Sequence, residues 1–264
     1  MADTTPGTPL ATPVPPQPAA TLILLRDGAE GLELLMIERH AGLRFAPGAT
    51  VFPGGRLEPA DQDPGWRAHW PGAEPPADLA HRVAAVRETF EECGLLLTRD
   101  PPDPARVAAL RAALADGVGF GLALARLGLA PALDRPAALA RWVTPETLPR
   151  RFDALFFLAP APEGQVPLCD GGEAVAALWA TPAQALAEEE AGRRRLVFAT
   201  RLTLLRLASC PDVAAAMACA TGGNGLPEPI LPRRVETPDG PVFRIPSGCG
   251  FLPLETSAER VRLG

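Results

Sequence analysis

Residues 84–97, AAVRETFEECGLLL, constrain this chain more than any other stretch. At 3.6 residues per turn, Leu79, Val83, Val86, Phe90 and Cys93 form one apolar stripe, which predicts an amphipathic helix with that face packed inward. Glu88, Glu91 and Glu92 fall on the opposite side at i, i+3 and i+4, spacings at which like charges repel by roughly 0.2–0.5 kcal/mol per pair. Gly94 is placed to end the helix, which sets the three carboxylates near its negative pole. Two readings follow: a solvated acidic helix end partly compensated by Arg87, or a cluster completed by a hard divalent cation on carboxylate oxygens.

The segment upstream favours the second. Residues 51–58 read Val-Phe-Pro-Gly-Gly-Arg-Leu-Glu, a strand-like run that breaks into a paired-glycine loop. Loop and helix together resemble the Nudix box, G-x5-E-x7-R-E-U-x-E-E-x-G-U with U a bulky aliphatic residue. Residues 87–95 match its second half at every fixed position except Thr89. Counting onward from Gly55 places Asp61 where the box has Glu, and 25 residues then separate Asp61 from Arg87 where the box has seven, an insertion of 18 residues. Residues 62–76 hold four prolines, two tryptophans and two glycines, which predicts an external surface loop. An interrupted box of this kind is similar to one Nudix subgroup that includes peroxisomal coenzyme A diphosphatases.

The resemblance implies an α+β fold, a Nudix-type α/β/α sandwich built on a mixed β-sheet, with extra helices after the box helix. It implies Mg²⁺ or Mn²⁺ held by Glu88, Glu91 and Glu92 with the backbone carbonyl of Gly54, and Arg87 orienting a carboxylate through its planar donor fork. The proton acceptor is one of the box glutamates or Glu173, which precedes a Trp-containing strand; Glu173 also reads as a further metal ligand or as a solvated strand-end carboxylate. The implied reaction is attack of water on a diphosphate that links a nucleoside to another group.

The run Arg44-x3-Gly48-x3-Phe52-Pro53-Gly54-Gly55 is similar to the back half of a signature that precedes the box in coenzyme A diphosphatases. Its front half, LLTxTS, is missing here. On this basis Arg44, Gly54 and Gly55 are expected to meet substrate, and coenzyme A or an acyl derivative is the leading candidate. An ADP-ribose or dinucleotide diphosphatase is the enzymatic alternative. A nucleotide-binding regulatory module without turnover is a third reading, favoured by Asp61 and Thr89 and opposed by the intact glutamates.

Composition narrows the partners. All 25 basic residues are Arg, and the net charge of −6 argues against nonspecific nucleic-acid binding while leaving local arginines for a small anionic substrate. Five widely spaced cysteines form no disulfide framework or metal spacing, as expected of thiols in a reducing cytoplasm. No apolar run approaches the ~20 residues that cross a bilayer. The expected partner is therefore a small nucleoside diphosphate derivative, not nucleic acid or a membrane, with a homodimer left open. His40, His69 and His81 show no pairing with Ser or Cys and are expected at the surface.

Along the chain, residues 1–19 carry six prolines without periodicity and read as a disordered tail, followed by a single domain over 20–264. Residues 20–26 and 32–38 predict a hairpin. Two Ala/Leu/Arg-rich helices over 104–115 and 120–127 are placed to cover the mouth of the active site. Strands follow at 141–145, 153–158 and through Trp179, then helices from Pro182 and over 200–208, and last a hairpin around Asp239-Gly240.

Overall fold

The computed structural model describes residues 13–43, 46–169, 171–220 and 226–259. The tail over 1–12 and Arg44 therefore lie outside the described residues. Strand β1 (Gln17–Gly28) turns tightly into β2 (Gly31–Arg39), and β1 starts three residues before the expected run because Gln17 and Pro18 pair in parallel with Phe152 and Asp153.

Between the ends of these two strands lies a wedge. Strand β3 (Thr50–Val51) pairs with the end of β2, and β4 (Gly54–Arg56) pairs with the start of β1 through Ala19, Ala20 and Thr21. Strands β1 and β2 pair only over 25–34, so beyond that point they diverge and the chain at 50–56 fills the gap. The wedge delivers the paired glycines to the face of the sheet on which the acidic helix α1 (Leu79–Cys93) is packed.

Next come α2 (Pro104–Ala115), α3 (Phe120–Leu127), β5 (Ala137–Val143), β6 (Phe152–Pro160), β7 (Ala174–Ala180), α4 (Pro182–Glu190), α5 (Phe198–Leu207) and α6 (Val213–Ala218). The chain ends in β8 (Pro229–Ile230) and a small antiparallel sheet of β9 (Arg233–Thr237), β10 (Gly240–Arg244) and β11 (Glu255–Ser257). The main sheet runs β3-β2-β1-β6-β5-β8, with β4 on β1 and β7 on β2. The β1–β6 and β5–β8 pairs are parallel and the rest antiparallel.

Period-two alternation divides the core into two layers. On β1, Ala20, Leu22 and Leu24 face the cluster under α1, α2 and α3, while Ile23 and Leu25 face the cluster under α4, α5 and α6. Strands β2 and β6 divide in the same way. This is the expected α/β/α sandwich on a mixed sheet.

Helix α1 ends as its sequence requires, with Gly94 left-handed at φ 69° and its N–H donating to the Phe90 carbonyl at 2.8 Å. Its charged face is only partly solvated, however, for Arg87 and Glu92 are 4% and 3% exposed while Glu91 faces solvent. Thr89, where the box has an aliphatic residue, is fully buried and turns its hydroxyl onto the Ala85 carbonyl at 2.7 Å, so the polar atom is satisfied within the helix.

Two expectations are corrected. Residues 62–76 are an external loop only in part: most of them are exposed, but 3-10 turns at Pro59–Gln62 and Pro64–His69 order the segment, and Trp66 enters the core beside Phe120 and Phe90. The indole N–H donates to the Ala60 carbonyl at 2.8 Å, which gives the buried ring its polar partner. Nor do α2 and α3 cover the site, since Leu110, Phe120 and Leu124 pack into the layer under α1 and neither helix contributes to the cleft described below. The histidines also differ from expectation: His40 is exposed, but His69 and His81 are half-buried.

Candidate active site

Three side chains of α1, those of Arg87, Glu88 and Glu92, meet the wedge. Gly54 donates its N–H to Glu92 Oε2 at 2.8 Å. A Cβ added at Gly54 would lie 2.4 Å from the Ala20 carbonyl, and one at Gly55 would lie 2.4 Å from the Glu88 carboxyl. Gly55 thus lets the Glu88 carboxylate press against bare backbone, and Gly54 lets the wedge lie close against β1, which no larger residue permits.

Arg87 ties this arrangement together. Its Nε and Nη2 grip Asp61 at 3.0 and 2.9 Å, Nη2 also donates to the Arg56 carbonyl at 3.0 Å, and Nη1 reaches Glu88 and Glu91 at 2.9 Å each. The carboxylate that Arg87 orients through its fork is therefore Asp61, whose Oδ2 also accepts from the Glu58 N–H at 2.8 Å. The bond spans the insertion and explains how an interrupted box is held closed. Asp61→Asn should preserve shape but lose the charge assistance, costing about 1–3 kcal/mol. Unfolding in urea measures this, and a midpoint equal to that of the parent would mean that Glu88 and Glu91 suffice to hold Arg87.

The electrostatics of the glutamates differ. Burial pushes Glu92 up to about 8, with Glu88 and Glu173 adding to the rise and the Gly54 amide and Arg39 opposing it. Burial also pushes Glu88 up to about 7, against the pull of Arg87. Glu91 is raised by burial too, but its side chain is 38% exposed and drawn to Arg87. The three box glutamates thus do not converge, and among the described residues no three of His, Cys, Asp and Glu form a ready ligand cluster.

Glu92 Oε1 is buried without a hydrogen-bond partner, and Arg39 Nη1 stands 3.7 Å away. An orphaned carboxylate oxygen beside a second, partly buried carboxylate is an arrangement that suits a hard divalent cation. Glu173, just before β7, lines the same cleft and raises both Glu88 and Glu92 through its charge, so it stands within reach of the pair.

The cleft has a volume of about 920 Å³. Arg39 at the end of β2 lines it on one side and Trp142 of β5 on the other. The β5 and β6 side is aromatic, with Trp142, Phe152 and Phe156 joined by Phe198 from α5. Sequence reasoning missed Arg39, Trp142 and Phe198. The signal for Arg39 was a cation closing the apolar run Leu34–Ile37 of β2; for the aromatic wall there was none, because the sequence does not say which face of β5 opens on the cleft.

The fold, the glycine wedge and the acidic helix define a class, and comparison with known proteins agrees. A family model described as the NUDT19 Nudix domain matches residues 67–194. The crystal structure of a NUDIX hydrolase from Alicyclobacillus acidocaldarius superposes with a TM-score of 0.66 and 34% identity, over 79% of this chain and 98% of that one. The chain belongs to the Nudix hydrolase family. It is also 31% identical over 207 residues to the acyl-coenzyme A diphosphatase NUDT19 of Homo sapiens, and 28% identical over 236 residues to that of Gallus gallus. These matches take in 60% and 63% of this chain, which spans 55% and 61% of the length of those relatives.

Proposed function

We propose that the protein is a metal-dependent diphosphatase whose substrate is coenzyme A or an acyl-coenzyme A, which it splits into phosphopantetheine, or its acyl form, and adenosine 3′,5′-bisphosphate. The observation that carries this reading is the pairing of buried Glu92 and partly buried Glu88 against Gly54 and Gly55 in a cleft. Glu92 and the Gly54 carbonyl, with Glu88 and Glu91 once they leave Arg87, would hold Mg²⁺ or Mn²⁺, which when bound neutralises diphosphate charge and eases deprotonation of water. The remaining work belongs to this chain's own groups. Arg87 and Asp61 fix the helix against the wedge, so the carboxylates stay in place as substrate enters. Glu173 accepts the proton of the attacking water as that oxygen adds to one phosphorus and the bridging P–O bond breaks. The aromatic wall supplies apolar surface for the part of the substrate away from the diphosphate.

The choice of coenzyme A rests on the names of the similar diphosphatases and on the run from Gly48 to Gly55, with Arg44 retained as a candidate phosphate contact. No helix among the described residues is long and apolar enough to cross a membrane. The five thiols are unbridged, which supports the cytoplasm as the compartment.

Product analysis tests the proposal: coenzyme A, an acyl-coenzyme A and ADP-ribose are each incubated with Mg²⁺ or Mn²⁺ at mildly alkaline pH. Adenosine 3′,5′-bisphosphate should appear from the first two. Cleavage of ADP-ribose alone would overturn the substrate assignment and leave the metal site standing. No cleavage of any of them with either metal would move the non-catalytic binding module to the front.

A further inference from the structure

Arg39 has no place in the metal set or in the Arg87 fork, yet its guanidinium is the cation next to the unmatched oxygen of the most deeply buried glutamate. Its Nη1 lies 3.7 Å from Glu92 Oε1, too far for a hydrogen bond and close enough for strong Coulomb attraction. The side chain is 15% exposed and lines the cleft, while its backbone is pinned where β2 meets the wedge by the Arg39 N–H donating to the Ala49 carbonyl at 2.9 Å. A cation bound to Glu92 Oε1 would share that oxygen's surroundings with a guanidinium, and the two positive charges would repel. Arginine can relieve the repulsion by turning its long side chain into the cleft, where the chemistry suited to its planar fork is a phosphate.

We propose that Arg39 is an exchangeable counter-charge: it neutralises Glu92 until the divalent ion arrives, and then moves to the diphosphate of the substrate. Metal and diphosphate binding are thereby coupled, because Arg39 opposes the ion when no phosphate is present and joins it when one is. This inference rests on the metal site proposed above and adds an order to it. The ion binds weakly by itself and tightly in the presence of the diphosphate.

Titration calorimetry with Mn²⁺ tests the exchange in the parent protein, Arg39→Gln and Arg39→Lys, with and without adenosine 5′-(α,β-methylene)diphosphate as a diphosphate that resists hydrolysis. Removing the repelling charge should tighten binding of Mn²⁺ alone by at least about fivefold in Arg39→Gln, as expected for two cations a few ångström apart even in water. The diphosphate should tighten Mn²⁺ binding to the parent protein much more than to Arg39→Gln, and Arg39→Lys should behave like the parent. In steady state, KM should rise in Arg39→Gln more than kcat falls. A merely structural Arg39 would lower the unfolding temperature and leave the metal affinity unmoved, which overturns the exchange. Equal or weaker Mn²⁺ binding in a folded Arg39→Gln overturns it as well. If Mn²⁺ binds none of the three proteins, the metal reading itself falls and the exchange with it.

Discussion

Glu92→Gln is expected to lower kcat/KM by more than about 100-fold, beyond what is typical of losing a group that only supports a metal ligand, while leaving the protein at least as stable as the parent. The amide oxygen of Gln can still accept from the Gly54 N–H, so the wedge and helix stay joined. What is lost is the buried negative charge whose second oxygen has no hydrogen-bond partner. The pH dependence has a definite sign. Glu92 is held at about 8 against an ordinary value of 4.5, so the folded state keeps its advantage below about 4.5 and loses it progressively as pH rises through about 8. Without divalent metal, the parent should therefore melt lower at pH 8 than at pH 5.5 through this group. At pH 8 Glu92→Gln should melt higher than the parent by at least about 2 °C, the shift that ~1 kcal/mol produces in a domain of this size. Glu91→Gln makes an instructive contrast, for it removes a half-exposed partner of Arg87 and should gain no stability. Calorimetric melts and initial rates measure all of this. A Glu92→Gln enzyme with parental turnover would end the assignment of that carboxylate to the reaction.

Much of this site was legible because its signals are local. A helix period, a capping glycine and carboxylates three and four residues apart fix α1 and the side from which it presents its charges. The helices at Pro104–Ala115 and Phe120–Leu127 likewise follow from their own composition and caps, with Asp103 accepting from the Ala105 N–H at 2.8 Å. What failed was everything that depends on which surface an element finds. Nothing local says that α2 and α3 pack under α1 instead of across the mouth. Nothing local says that Arg87 holds both Glu88 and Glu91 while Glu92 is left to the Gly54 amide. Asp61 looked like a departure from the box pattern, yet it is the buried partner of Arg87 across 26 positions of sequence. Its shorter side chain serves because the 3-10 turn at Pro59–Gln62 brings its backbone close, with the Glu58 N–H bonded to the same carboxylate.

The insertion misled for a related reason. Proline and glycine density predicts irregular backbone correctly but says nothing about burial, and the tryptophans were the better guide. Replacing residues 62–76 with a short Gly/Ser linker should therefore destabilise the protein by at least about 3 kcal/mol, the lower range for truncating a buried aromatic side chain. Loop-closure entropy works the other way, but halving a loop of this length recovers only about 0.6 kcal/mol, so lost packing dominates. Trp66 accounts for most of the loss: it is 7% exposed, packs against Phe120 with ring centroids 6.3 Å apart, and rests on Gly121, where an added Cβ would lie 3.1 Å from the indole. Trp70 adds less, being half-buried under the Arg82 guanidinium at 5.3 Å. Trp66→Ala alone should reproduce most of the effect and Trp70→Ala little of it, which urea unfolding of the three variants resolves. Since the same segment follows directly on Asp61, the linker variant should also loosen the Arg87 fork and lose activity beyond what its stability predicts, while Trp66→Ala, which leaves Pro59–Gln62 intact, should keep turnover at temperatures where it is folded. A linker variant that unfolds within about 1 kcal/mol of the parent would return residues 62–76 to the surface and leave the closure of the box to Arg87 and Asp61 alone.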